Sequence, residues 1–78
     1  MTRMATYVRT KNDVNGNPRR GWMVSDEQGR MVGFVDEGYT GRPALRERFP
    51  DAVEVMHALE VTPAAYRVLK RNPDGFQP

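Results

Sequence analysis

The sequence contains no cysteine, only one histidine and no long apolar run. The lack of cysteine excludes a disulfide framework and a cysteine-ligated zinc site. His57 alone cannot hold a metal ion without carboxylates, and we expect neither a metal nor a cofactor. No apolar stretch approaches the roughly 20 residues of a membrane helix. Residues 1–4 also lack the apolar segment of a signal peptide, so we expect a cytoplasmic protein without membrane contacts.

Length and charge limit the classes of function further. The 78 residues suffice for one small domain, which buries roughly 60% of the surface that its unfolded chain exposes. Association with a partner would therefore add useful stability. Ten Arg and two Lys stand against ten acidic residues, which gives a net charge of +2. A protein that coats DNA carries denser positive charge, so nucleic acid is an alternative partner rather than a required one.

Asn15-Gly16 lies between two runs with strand character, residues 4–12 and 19–25. Asn-Gly favours a type I′ hairpin turn because both central residues need a positive φ. This turn predicts a register with Lys11 opposite Arg20, Arg9 opposite Trp22 and Tyr7 opposite Val24.

A second turn is predicted at residues 26–29, where Asp26 first and Gly29 fourth are typical of a type I turn followed by a left-handed glycine. It pairs Val24 with Val32, Trp22 with Phe34 and Arg20 with Asp36. The two turns agree on a three-stranded antiparallel meander with one aromatic face. That face collects Tyr7, Trp22, Val24, Val32 and Phe34.

The second half of the chain predicts a helix, a strand and a helix. A short helix begins near Pro43 and ends before Pro50, and its Leu45 and Phe49 should dock on the Trp22/Phe34 face. Residues 52–61 alternate apolar and polar side chains, which favours a strand, although a helix is an alternative.

Thr62-Pro63 then predicts an N-cap and the first turn of a final helix that ends near Arg71 or Asn72. Its predicted buried stripe is Ala65, Val68 and Leu69. We therefore predict an α+β fold in the order β-β-β-α-β-α, with both helices on one sheet face. Residues 1–72 would form the domain, and residues 73–78 a flexible tail.

An uncovered sheet face is the leading candidate site. It would present an apolar patch, supplemented by a loop tyrosine, and such a patch suits a protein partner or a two-fold homodimer. Pairing of an exposed edge strand with another chain is a related route. The residues of this predicted protein-binding site are Val8, Met23, Met31, Val35 and Tyr39.

Two other functions are weaker alternatives. A nucleic-acid-binding site would use basic residues near the first hairpin, namely Arg9, Lys11, Arg19, Arg20 and Arg42. The predicted register argues against it, because Trp22 falls in the core and Arg20 lies opposite Asp36, leaving Arg19 free. An enzyme would need a pocket holding Asp36, Glu37, Tyr39 and His57. No nucleophile–base pair or P-loop motif is visible, so we expect no catalysis.

Residues 13–22 and 36–42 resemble segments of small uncharacterised accessory proteins of actinobacterial phages. The resemblance covers roughly residues 6–49 and contains no catalytic motif. It implies an accessory protein that binds and modulates a host component, and it assigns no functional residues.

Overall fold

The computed structural model describes residues 2–11, 18–38 and 44–75. The elements are β1 (Met4–Thr10), β2 (Arg20–Ser25), β3 (Met31–Gly38), α1 (Ala44–Arg48), β4 (Val53–Val61) and α2 (Pro63–Lys70). The predicted α+β order is confirmed, including a strand rather than a helix before α2. The strands form one mixed sheet in the order β3-β2-β1-β4, in which β4 runs parallel to β1.

The turn between β2 and β3 forms as its sequence predicts. The Asp26 N–H donates to the Arg30 carbonyl at 2.9 Å, and the Asp26 carboxylate accepts from the Gln28 and Arg30 N–H groups. Gly29 has a φ of 82°, which glycine adopts without steric cost. The turn chemistry was therefore sufficient to locate this hairpin.

The register beyond that turn differs from the prediction by one residue. An irregularity between Val24 and Ser25 sets Val24 opposite Gly33 and Met23 opposite Phe34. A one-residue shift moves side chains to the opposite face, because their period along a strand is two. The predicted pairing of Trp22 with Phe34 is therefore wrong, and Phe34 lies on the other face from Trp22.

The register between β1 and β2 differs from the prediction by two residues. Tyr7 lies opposite Trp22 rather than Val24, and the two rings are 5.3 Å apart. A shift of two preserves the faces, so the prediction that Tyr7, Trp22 and Val24 share one face is confirmed. Asn15-Gly16 lies outside the described residues.

The two helices lie on opposite faces of the sheet, so the predicted single covered face is wrong. On the face that we call the α1 face, Leu45 and Phe49 pack into one cluster; on the α2 face, Tyr66 packs into another. The α1 cluster also contains Ala5, Val24, Val35 and Ala52, and the α2 cluster contains Val8 and Phe34. Phe34 and Val35 are consecutive in β3, and they supply one side chain to each face.

The predicted open face does not exist. Val8 is completely buried beneath α2, and Val35 is 3% exposed on the α1 face. Met23 and Met31 are partly buried against the α2 cluster. These four side chains therefore form no continuous exposed patch, and Tyr39 lies outside the described residues.

Helix α2 begins as predicted but packs through a different residue. The Thr62 side chain accepts a hydrogen bond from the Ala65 N–H at 3.1 Å, which confirms the N-cap. Tyr66 is 1% exposed, whereas Val68 is 47% exposed. The predicted stripe of Ala65, Val68 and Leu69 is therefore wrong except for Leu69, which packs against the α2 cluster.

Gly21 provides a test of how closely the elements pack on the α2 face. A methyl group there would lie 2.5 Å from the Val35 carbonyl oxygen and 2.8 Å from the Tyr66 hydroxyl. We expect Gly21→Ala to lower the free energy of unfolding by about 1–3 kcal/mol, because a backbone atom must move. Ser25→Ala on the same strand is the control, with a change of about 0.5 kcal/mol or less. Equal losses in urea denaturation of the two variants would contradict this packing.

Candidate functional site

The chain itself covers the outer edge of β3 at Phe34. The Phe34 N–H donates to the Pro73 carbonyl at 3.0 Å, and the Phe34 carbonyl accepts from the Arg48 guanidinium at 2.9 Å. Arg48 also donates to the Pro73 carbonyl at 3.0 Å. Gly75 is buried against β3, so residues 73–75 pack on the domain rather than lying in the predicted tail. The main-chain groups of Phe34, which could otherwise recruit another strand, are thus satisfied.

The opposite edge, β4, is exposed over most of its length. Met56 is 99% exposed, Val53 52% and Leu59 41%. Within the described residues, no main-chain hydrogen bond joins the outer side of β4 to another segment. A nine-residue strand with apolar side chains and an open edge has the properties of a strand-pairing surface. We therefore take β4 as the candidate functional site.

A β-bulge interrupts the pairing of β4 with β1. Ala5 pairs with Glu54 and Tyr7 pairs with Ala58, so three residues of β4 lie across from Thr6 alone. The central one of these three is Met56, the most exposed large apolar residue. The bulge thus presents a flexible apolar side chain at the middle of the open edge.

Two ion pairs hold the ends of β4 on the α1 face. Arg46 contacts Glu54 at 2.8 Å, and Arg9 contacts Glu60 at 3.5 Å. Arg46 also donates to the Ala52 carbonyl at 2.6 Å, which ties α1 to the start of the strand. Exposed pairs of this kind contribute little to stability. Their main effect is to neutralise the two carboxylates beside the open edge.

A second polar group joins α2 to the start of β2 and the end of β3. The Tyr66 hydroxyl contacts Asp36 Oδ1 at 2.6 Å and the Arg20 carbonyl at 2.7 Å. Arg19 and Lys70 approach Asp36 Oδ2 at 3.4 and 3.5 Å. The prediction that Arg19 stays free is therefore wrong. Burial, and then the hydrogen bond to Asp36, raise the pKa of Tyr66 far above its ordinary value, so this phenol stays protonated.

The other predicted site residues are dispersed. Trp22 packs against the α1 cluster and donates through Nε1 to Glu37 at 2.6 Å, which agrees with its predicted role in the core. Lys11 is exposed beyond the end of β1, and His57 is exposed on β4. Arg42 and Tyr39 lie outside the described residues. Among the described residues, no group of three or more metal-ligating side chains is close enough to hold an ion.

Sequence reasoning missed Tyr66 and treated β4 only as an ambiguous stretch. Tyr66 and Leu69 are three residues apart, so the spacing of a helical stripe was present. The predicted stripe of Ala65, Val68 and Leu69 contains only apolar side chains and so leaves the tyrosine out. A tyrosine buries a large ring when its hydroxyl finds an acceptor, and Asp36 supplies one.

Tyr66→Phe tests this connection. We expect the free energy of unfolding to fall by about 1–3 kcal/mol at neutral pH, because Asp36 and the Arg20 carbonyl lose their donor. The same change at Tyr7, on the α1 face, is the control for loss of a phenol.

The pH dependence gives the prediction a second readout. The folded-state pKa of Tyr66 is raised, so the unfolded chain ionises first, at about pH 10. The stability that Tyr66 contributes is thus complete below about pH 10 and is lost as pH rises above it. The difference in the free energy of unfolding between wild type and Tyr66→Phe should therefore become smaller in urea titrations at alkaline pH. A difference that stays constant across that range would contradict the buried, hydrogen-bonded phenol.

Comparison with protein-family models, with curated proteins and with solved structures found no match for the chain. No helix among the described residues is long and apolar enough to cross a membrane. The inference of function therefore depends on the exposure and chemistry of the chain's own side chains.

Proposed function

We propose that the protein is a small non-enzymatic module that binds a protein partner by pairing through its β4 edge. The observation that carries this proposal is the difference between the two sheet edges. On the β3 edge, Pro73 and Arg48 occupy the main-chain groups of Phe34, whereas the β4 edge has no such cover among the described residues and its Met56 is almost fully exposed. Strand addition uses main-chain hydrogen bonds for affinity and alternate side chains for specificity.

The accessory role implied by the resemblance to phage proteins fits a module of this size. A chain of 78 residues can offer an edge strand to a host protein without enclosing a substrate pocket. The proposed setting is the cytoplasm, which suits a sequence without cysteine.

Nucleic-acid binding has less support from the geometry. Arg9 is paired with Glu60 and Arg19 with Asp36. Phosphate contacts would have to compete with these carboxylates, which lowers the positive potential available to a nucleic acid. Catalysis also lacks support, since Asp36 is engaged with the Tyr66 hydroxyl on β3 while His57 lies exposed on β4.

The experiment compares edge-blocked protein with a matched surface variant. Met56→Lys combined with Leu59→Lys places charge on the open edge, which disfavours strand pairing. Val68→Lys is the control, because Val68 is 47% exposed but lies on α2. Proteins captured from a bacterial lysate by immobilised wild type would be purified and their affinities measured against all three forms. We expect the edge variant to bind a genuine partner at least about tenfold more weakly, with Val68→Lys unchanged.

Equal affinity of all three forms for every captured protein, together with no self-association through β4, would overturn the β4 proposal. Retention of DNA or RNA, with affinity falling steeply as salt rises, would instead support the nucleic-acid alternative. Circular dichroism of each variant establishes that a lost interaction does not reflect lost folding.

A further inference from the structure

The sequence of β4 is nearly symmetric about its central residue, His57. At each distance from His57, the residues on its two sides belong to the same class. The matched positions are Met56 with Ala58, Val55 with Leu59, Glu54 with Glu60 and Val53 with Val61. Such a strand can pair antiparallel with an identical strand so that like classes lie opposite each other at every position.

We infer that the occupant of the β4 edge is a second copy of this chain, paired antiparallel about a two-fold axis at His57. This inference rests on the proposed use of the β4 edge and names its partner. The two sheets would join into one sheet of eight strands, with β4 of each copy at the centre. A two-fold arrangement needs one self-complementary surface, and β4 supplies it.

The side chains complement each other in size on both faces. Glu54 and Ala58 lie on the α1 face through their partners in β1, and Val53 and Leu59 lie on the α2 face. In the proposed register, the exposed Met56 meets the small Ala58 of the second copy, which leaves room for the longer side chain. On the α2 face, branched apolar residues meet each other, and such cross-strand pairs stabilise a sheet.

The ion pairs at the ends of β4 reduce the repulsion that two facing glutamates would cause in the dimer. Glu54 of one copy would lie opposite Glu60 of the other, and like charges opposite each other are destabilising. Each glutamate already has an arginine, since Arg46 contacts Glu54 at 2.8 Å and Arg9 contacts Glu60 at 3.5 Å. The junction would then contain two carboxylates between two guanidinium groups, which balances the charge.

The cover on the β3 edge at Phe34 affects the size of the assembly. Once β4 pairs with β4, the outermost strands of the joined sheet are the two β3 strands. Pro73 and Arg48 occupy the main-chain groups of Phe34 there. This cover disfavours the addition of further copies at the β3 edge, so we expect a dimer rather than a fibre.

Cysteine cross-linking tests the register directly, because the natural chain has no cysteine. Residues opposite each other in an antiparallel pair have Cα atoms about 4.5–5.5 Å apart, within the range of about 4.4–6.8 Å that a disulfide needs. We expect His57→Cys to form a covalent dimer under mild oxidation. Glu47→Cys, exposed on α1, is the control and should remain monomeric on non-reducing gels.

A mixture of two cysteine variants tests the register more strictly. Met56→Cys and Ala58→Cys mixed together should cross-link faster than either variant alone, since only the mixture sets two cysteines opposite each other. Cross-linking of His57→Cys no faster than Glu47→Cys would overturn the proposed axis.

Sedimentation provides an independent readout on the purified protein. We expect wild type and Val68→Lys to sediment as dimers, and Met56→Lys combined with Leu59→Lys as a monomer. A monomeric wild type, or a dimer that survives both edge changes, would overturn the second-copy inference. If a monomeric wild type still binds another protein through β4, the proposed function stands and only the second-copy inference fails. If edge-dependent binding is also absent, the proposed function and the second-copy inference both fail.

Discussion

The one-residue irregularity between Val24 and Ser25 determines how the rest of the molecule is arranged. It sends Phe34 to the α2 face and Val35 to the α1 face. Each face of the sheet then carries its own apolar cluster, and each cluster needs a cover. A sheet with two apolar faces cannot leave one open to water without a large cost in free energy. The two short helices therefore separate, one to each face.

This division leaves little surface for recognition. Helix α1 covers one face through Leu45 and Phe49, and α2 covers the other through the buried ring of Tyr66. Residues 73–75, together with Arg48, then cover the β3 edge at Phe34. Only the β4 edge retains several exposed large apolar side chains on one element, among the residues that the structure describes. The surface that best suits a partner is thus the β4 edge rather than a face of the sheet.

Three local signals predicted the order of the elements. They are the turn chemistry, the N-cap at Thr62 and the alternation in residues 53–61. The position of a bulge is not a local signal of the same kind. The extra residue is Val32 in β3, beside Gly33, and a glycine inside a strand is only a weak indication of a bulge. In the structure, Gly33 also accommodates the Phe49 ring. A side chain at position 33 would collide with that ring, so the register there depends on tertiary packing.

The candidate site was predictable only in part, for a related reason. The sequence indicated that an apolar surface would remain for a partner, and it raised edge pairing as one route. It placed the patch on Val8 and Val35, because those positions alternate correctly in a sheet without a bulge. With the bulge, Val35 turns to the α1 face, whereas Val8 keeps its predicted face and is buried there by α2. The predicted interface is therefore lost for two reasons, the one-residue error in register at Val35 and the placement of α2 over Val8.

The exposed apolar side chains of β4 are a liability for an isolated small protein. The chain does not reduce that liability by placing lysines along the strand, although lysine is a common way to protect an edge. It carries two glutamates there and neutralises both with Arg9 and Arg46 from neighbouring elements. Neutralised carboxylates and a flexible Met56 make the edge more accessible to another strand rather than less. The bulge restricts which strands can fit beside β4. In the proposed pairing, the bulged residues 55–57 of one copy lie opposite residues 57–59 of the other, where the small Ala58 faces Met56.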